Sequence, residues 1–283
     1  MREQIFKTIS ESKYLSEFKD KFFVIKYGGS LLDDEAVSDS ILEDIMFLHQ
    51  KGIKPVLVHG GGSMISKLMK ERGKSPSFDN GHRITDKETA FIVDEALTNV
   101  NKALVEKILL KGGNAQSLVS SRDKVVVSEK RANSSSEDFV GSVKRIDTAI
   151  IEDCFSKGRF PVISPVGIGD DGQAYNINAD VAACEIASAL RAEKLMLLTN
   201  VKGVMKDKDE ESSLITSITE EQMKTMISDG LIHGGMIPKV ESGIAALGKG
   251  VKKVHIISGR IEQALFLEIF TDEGIGTEIV ISR

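Results

Sequence analysis

Tryptophan is absent from this chain of 283 residues, cysteine occurs only twice and proline five times, and aromatic residues make up 5% of it. Two cysteines, Cys154 and Cys184, cannot build a disulfide framework or a thiolate metal cage. Both fall in helical patterns and read as small buried apolar residues of a protein kept in a reducing cytosol. No apolar run approaches the roughly 18 residues that a membrane-crossing helix needs, so no membrane partner is expected. The N-terminal stretch MREQIFKTISESKYLSEFKDK lacks the continuous apolar segment of a signal peptide. Its Glu3, Glu11 and Glu17 are out of place in a mitochondrial presequence. A cytoplasmic location is the expectation. Formal net charge is -5 and no basic stripe offsets it, which argues against nucleic acid as a partner. The five histidines show no metal-ligand spacing, and no protein nucleophile can be assigned.

What is present is a composition of 41% hydrophobic and 28% charged residues, enough for a folded core in one large α/β domain or two lobes. Short apolar runs recur at Phe22–Tyr27, Pro55–Val58, Val125–Val127, Phe160–Ile163, Leu195–Leu198 and Val254–Ile257. Continuous rather than alternating apolar character marks strands covered on both faces, the pattern of a parallel sheet. Helical patterns lie between them, as in Ser63–Glu71, with Ile65, Leu68 and Met69 on one face, and Asp180–Leu190, with Ala183, Ile186, Ala187 and Leu190. The expected fold is α/β, a three-layer αβα sandwich around a mainly parallel central sheet.

Two of the runs end in glycine. Lys26 closes the first and is followed by Gly28-Gly29-Ser30; His59 closes the second and is followed by Gly60-Gly61-Gly62-Ser63. Glycine loops after strands turn backbone N–H groups outward, and a neighbouring lysine adds a full charge, so the pair suits an anion at the carboxyl edge of a sheet. The competing reading is an ordinary turn beside a lysine that snorkels to water. Neither loop is a Walker A motif, because GK[ST] is missing. Gly167-Ile168-Gly169-Asp170-Asp171-Gly172 matches a dinucleotide fingerprint in letters only: two aspartates would repel a pyrophosphate, and Asp171-Gly172 reads as a hairpin turn. Asn176-Ile177-Asn178-Ala179-Asp180 opens a helix, with Asn178 as N-cap, and leaves Asn176 unexplained. Lys239 follows Gly234-Gly235-Met236-Ile237-Pro238 and faces the positive end of a helix dipole, a placement that an anion would favour. Arg83, in a loop, could clamp a carboxylate or pair with Asp79 or Asp86.

Taken in order, KYGGS at Lys26–Ser30, HGGGS at His59–Ser63, NGHRITD at Asn80–Asp86, NINAD at Asn176–Asp180, LTNVKGV at Leu198–Val204 and GGMIPKV at Gly234–Val240 resemble the amino-acid-kinase family. Within it they resemble the members whose acceptor is N-acetyl-L-glutamate. The resemblance spans nearly the whole chain. It implies a sheet of about eight strands, an acceptor-binding lobe over residues 21–190 and a nucleotide-binding lobe over 191–283. The implied reaction moves the γ-phosphoryl group of ATP, with Mg²⁺ held largely by ATP itself, to a side-chain carboxylate in arginine biosynthesis. Carried over by motif, Lys26, Lys239 and Asp180 are catalytic. Gly61, Gly62, Arg83, Asn176 and Asn178 bind the acceptor. Lys26, Gly28, Gly29, Lys202, Gly203, Asp207 and Lys239 bind ATP.

The resemblance extends to arginine-sensitive members, which have an extra N-terminal helix. Residues 1–20 read as such a helix, with Ile5, Phe6, Ile9, Leu15 and Phe18 apolar, and imply a homohexamer. Tyr14, His255, Ser258, Glu268, Gly274 and Gly276 match an arginine site, and a PII-type signalling protein is a further partner that the family allows. Two departures stand out: Asn200 replaces the family's usual aspartate, and Ser117–Val125 lacks the family's glycine-rich turn, so no function is carried to that segment. The alternatives are another phosphotransferase of this family, acting on glutamate, aspartate, carbamate or a nucleoside monophosphate, and a non-catalytic arginine-sensing domain. Lys26, Asp180 and Lys239 together oppose the second, as does a chain that stops where the kinase fold stops.

Overall fold

The computed structural model describes residues 13–79, 82–131, 137–207, 210–232, 234–271 and 274–281. Its strands are β1 (Phe22–Tyr27), β2 (Lys54–His59), β3 (Phe78–Asp79), β4 (His82–Arg83), β5 (Ala115–Leu118), β6 (Val126–Lys130), β7 (Gly141–Ile146), β8 (Phe160–Ile163), β9 (Val166–Ile168), β10 (Ala174–Asn176), β11 (Lys194–Thr199), β12 (Ser217–Thr219), β13 (Lys253–Ser258) and β14 (Thr277–Val280). The helices are α1 (Lys13–Phe18), α2 (Glu35–Gln50), α3 (Gly62–Glu71), α4 (Lys87–Leu110), α5 (Ser120–Asp123), α6 (Thr148–Ser156), α7 (Ala179–Ala189), α8 (Glu220–Ser228), α9 (Met236–Gly248) and α10 (Ala264–Phe270).

An eight-stranded sheet runs in the order β12-β14-β13-β11-β1-β2-β8-β5, and every neighbouring pair is parallel except β13 with β14. Alternation along the strands builds the three layers. Val24, Val56, Leu195, Leu197 and Val254 face a core shared with Ala183 and Ile186 of α7 and Val240 of α9. Their neighbours Phe23, Ile25, Leu57, Met196 and Ile257 face the opposite core, with Ile41, Leu42 and Ile45 of α2 and Phe266 of α10. A strand buried on both faces has no polar positions to alternate, which is why the sequence reads there as unbroken apolar runs.

One run belongs elsewhere. Val126 and Val127 enter β6 of a separate four-stranded sheet, β10-β9-β6-β7, in which only β6 and β9 pair in parallel. Val125 and Val126 are nevertheless fully buried in the core that contains α7, so three apolar residues report burial without reporting which sheet provides it. Asp171-Gly172 does turn a hairpin: β9 and β10 are antiparallel, Gly169 N–H donates to Gln173 O at 2.8 Å, and Gly172 has φ +82°. Cys154 and Cys184 are buried, and burial pushes the Cys154 thiol up to about 11 and the Cys184 thiol up as well.

Of the expected helix over residues 1–20, Ile5, Phe6 and Ile9 lie outside the described residues. The part described, α1, packs on its own chain: Phe18 is buried edge-on against Phe23, with ring centroids 5.2 Å apart, and Tyr14 stacks on Phe18. Among the described residues no helix is long and apolar enough to cross a membrane.

Candidate active site

The loops that follow β1 and β2 meet at the carboxyl edge of the sheet. A Cβ built on Gly28 would lie 3.0 Å from the Cα and N of Gly60, and one on Gly60 would lie 3.2 Å from Gly28, so both loops require glycine for this contact. Gly29 adds a backbone turn at φ +67°. Two helices also start here without a side-chain cap: α3 after Gly61 and α9 after Gly235. Their first N–H groups carry the positive end of the helix dipole toward the same edge.

Asp180 stands at the centre. It lies in the first turn of α7, where Asn178 is the N-cap and its Oδ1 accepts from Asp180 N–H at 2.8 Å and Val181 N–H at 3.3 Å. One carboxylate oxygen of Asp180 is 3.0 Å from Lys26 Nζ and the other is 2.9 Å from Lys239 Nζ. The side chains are 6%, 8% and 19% exposed, respectively. Burial alone would raise the Asp180 pKa, but the two ammonium groups outweigh it and hold the carboxyl below its usual range. Two cations share one anion here, so one positive charge is left uncompensated in a place where water screens it poorly. A bound anion is the natural complement.

Cavities open on both sides of this trio. One, of about 450 Å³, is lined by Gly28, Gly29, Thr199, Asn200, Gly203 and Gly235, along with apolar Val204, Met205, Leu231 and Met236. The other, of about 410 Å³, is lined by Gly61, Gly62, Arg83, Asn176, Asn178 and Asp180, with Ile65, Phe78, Leu97, Val140 and Pro165 as its apolar wall. Lys26, Gly29 and Lys239 border both. Arg83 is buried rather than paired on the surface. Its Nη2 donates to Gly62 O at 3.0 Å and Ser66 Oγ at 2.8 Å, and its guanidinium lies over the Phe78 ring at 4.7 Å. Asp86 instead takes two hydrogen bonds from Lys74 and caps α4 through Thr89 N–H, so its carboxyl is held down to about 2. Asn176 donates from Nδ2 to Thr85 Oγ1 at 3.0 Å, and Thr85 Oγ1 donates to Arg83 O at 2.8 Å.

Two expected nucleotide residues stand apart: Lys202 and Asp207 do not line the first cavity, although Gly203 between them does. Asp207 is exposed and its backbone is tied to Ser213. Leu97 of α4 and Val140 ahead of β7 line the second cavity with no signal in the linear sequence, since they meet only on folding, whereas Thr85, which links Asn176 to Arg83, lies inside the NGHRITD motif. Asn80 and Gly81, within the expected acceptor loop, lie outside the described residues.

A third cavity, of about 250 Å³, lies at the other end of the same sheet. Tyr14, His255, Glu268, Gly274 and Gly276 line it, as do Lys194 and Glu278. Ser258 does not: β13 is extended, so a residue three places beyond His255 faces the other way, about 10 Å further along. Glu268 accepts from Ile275 N–H at 2.7 Å and Gly276 N–H at 3.1 Å, and its Oε1 is 2.6 Å from His255 Nδ1. Lys194 Nζ is 3.3 Å from His255 Nε2, a buried contact absent from the linear reading.

Residues 21–258 match the amino acid kinase family. The chain belongs to that family. Within it the chain groups with the acetylglutamate kinases: it is 44% identical to the acetylglutamate kinase of Kosmotoga olearia over 98% of both chains. It is 45% identical to that of Thermosynechococcus vestitus over 94% of this chain and 90% of the relative. Among solved structures, the N-acetylglutamate synthase of Neisseria gonorrhoeae complexed with coenzyme A and N-acetyl-glutamate superposes with a TM-score of 0.83. It is 23% identical, and the match covers 99% of this chain and 63% of the synthase, so it speaks for the fold alone.

Proposed function

We propose that this enzyme transfers the γ-phosphoryl group of ATP to the side-chain carboxylate of N-acetyl-L-glutamate, forming an acyl phosphate and ADP in arginine biosynthesis. The observation that carries the reading is the meeting of two cavities across Lys26, Asp180 and Lys239. The names of the relatives supply the acceptor. The acceptor carboxylate is ionised at neutral pH, so no general base is required; the barrier lies in bringing two anions together. Lys26 and Lys239 bear on the transferring group, with Asp180 fixing their distance, and backbone amides of the glycine loops take up developing negative charge.

ATP takes the cavity by residues 198–201, 203–205, 231–232 and 234–236, with Gly28 and Gly29 at its edge. Its apolar wall suits a base, and the uncapped α9 terminus suits phosphates. Mg²⁺ would be held largely by the nucleotide's phosphates and would neutralise part of their charge; Asp180 is instead ion-paired with Lys26 and Lys239. N-acetylglutamate takes the other cavity, where Arg83 meets its α-carboxylate and Asn176 its amide, against Gly61, Gly62 and Asn178. That division corresponds to an acceptor lobe over residues 21–190 and a nucleotide lobe over 191–283. Incubation with ATP, Mg²⁺, N-acetylglutamate and hydroxylamine should yield the hydroxamate of a trapped acyl phosphate. ADP release with no hydroxamate, or equal turnover on glutamate, aspartate or carbamate, would refute the acceptor.

The third cavity is read as an arginine site on a cytoplasmic homohexamer. In support, Glu268 and Glu278 offer carboxylates for a guanidinium, and Tyr14 ties the cavity to the N-terminal helix. Removing residues 1–20 is expected to give dimers, read by light scattering, with weakened arginine inhibition. A truncated protein that stayed hexameric and fully inhibited would refute the role of that helix.

A further inference from the structure

Two polar side chains behind the second glycine loop have no part in the scheme above. His59, the last residue of β2, and Asn101 of α4 are both fully buried. His59 Nδ1 lies 2.8 Å from Gly60 O. A carbonyl oxygen can only accept, so Nδ1 carries the proton. Burial pushes the His59 pKa down to about 4, which keeps the ring neutral and leaves Nε2 bare. Nε2 accepts from Asn101 Nδ2 at 3.1 Å, and the second N–H of that amide donates to Val162 O at 2.9 Å. Both ring nitrogens and the Asn101 amide nitrogen then have defined partners, while Asn101 Oδ1 is buried without one, and the network runs from α4 through the end of β2 to β8.

Its consequence falls on the loop. Gly60 N–H donates to Tyr27 O at 2.7 Å, and Gly61 O accepts from Ile65 N–H at 2.9 Å to start α3. The Gly60–Gly61 peptide is trans, so its C=O and N–H point in opposite directions. With Gly60 O drawn toward the buried His59, Gly61 N–H is turned the opposite way, and Gly61 itself lines the cavity. The loop is closely packed: Gly60 is pressed on Gly28, and a Cβ on Gly61 would come within 2.7 Å of the Leu97 side chain.

We propose that His59 and Asn101 are positioning residues that hold the Gly60–Gly61 peptide so that Gly61 N–H donates to the oxygens of the phosphoryl group in transfer. This rests on the phosphotransferase reading. A reversed peptide would present a carbonyl oxygen to an anion, so removing the His59 donor removes a preorganised N–H from the transition state and affects turnover more than binding.

The test compares His59→Leu, His59→Asn and Asn101→Leu in the full chain, in the hydroxamate assay. His59→Leu should lower kcat by about 100-fold, the scale of losing one such donor, with KM for both substrates within about threefold of wild type. His59→Asn, whose amide can still donate to Gly60 O, should retain activity within about fivefold, and Asn101→Leu should fall between them. Wild-type kcat in His59→Leu, a rise in KM alone, or equal loss in His59→Asn would overturn the proposal. Nitrogen-15 NMR of the histidine rings judges it without any variant that must fold. The wild-type His59 should be neutral with its proton on Nδ1, and a proton on Nε2 would overturn the arrangement. If wild type yields no acyl phosphate, the phosphotransferase reading fails; if wild type and His59→Leu yield it equally, only the positioning role fails.

Discussion

The two edges of the central sheet carry opposite charge. Among the described residues that line the paired cavities at the carboxyl edge, Lys26, Arg83 and Lys239 face a single carboxylate, Asp180. Around the third cavity, Glu17, Glu193, Glu268 and Glu278 face Lys194 and Lys253. Lys194 and Thr199, the ends of β11, border the third and the nucleotide-side cavity, so one strand about 16 Å long connects them. Each surplus suits the ligand proposed for it: polyanionic ATP and a dicarboxylate at one edge, a guanidinium at the other. A ligand at the acidic edge can alter catalysis only by favouring one arrangement of the shared strands, and its effect must be reciprocal with substrate binding.

The comparison breaks most visibly at its positive edge. Lys26→Ala or Lys239→Ala is expected to lower turnover by about two orders of magnitude in the hydroxamate assay, the cost of one preorganised charge. Arginine binding, followed by calorimetry, should change less than about twofold in these variants. Near-normal turnover in both would remove the basis for the mechanism. Glu268→Gln should do the reverse: inhibition by arginine weakens by about tenfold or more, while kcat without arginine stays within about twofold. Unchanged inhibition would show that Glu268 serves the fold and not the ligand.

Arg83→Ala sharpens the division between the paired cavities. It should raise the KM for N-acetylglutamate by about tenfold and leave the KM for ATP nearly unchanged; a selective ATP defect would place Arg83 on the wrong side. The smallest effect is on stability. His59 has its folded pKa pushed down to about 4, so between that value and its ordinary 6.5 the unfolded chain binds a proton that the folded chain does not. Stability therefore falls on acidification through this window, by about 2 kcal/mol between pH 7 and pH 5. The lowered carboxyls of Asp180 and Glu268 contribute stability that is present above the ordinary carboxylate range and is lost only as pH falls further. Urea unfolding of wild type and His59→Asn at the two pH values isolates the histidine. Equal pH dependence in both proteins would contradict a neutral buried ring.

The sequence alone determined the parallel core and most of the glycine geometry. Five central strands are buried on both faces, so β1, β2, β8, β11 and β13 had to be written as unbroken apolar runs. Gly28 and Gly60 had to be glycine because their loops touch. The edge strands β5 and β12, and β14 beside β12, are short and half polar, and they left no comparable trace. Tertiary structure alone decided which polar residues meet. Lys26, Asp180 and Lys239 come from a strand and two helices and are distant in sequence, yet fall within 3.0 Å of one another's charged atoms through Asp180. Asn101 sits in the middle of a long amphipathic helix, and Lys194 opens a strand; neither local pattern distinguishes it from a solvated residue. Their roles come from His59 and His255, which the folded sheet brings against them. Apolar burial repeats along the chain and can be read from it, whereas a hydrogen bond between distant residues depends on two positions that only the packed layers bring together.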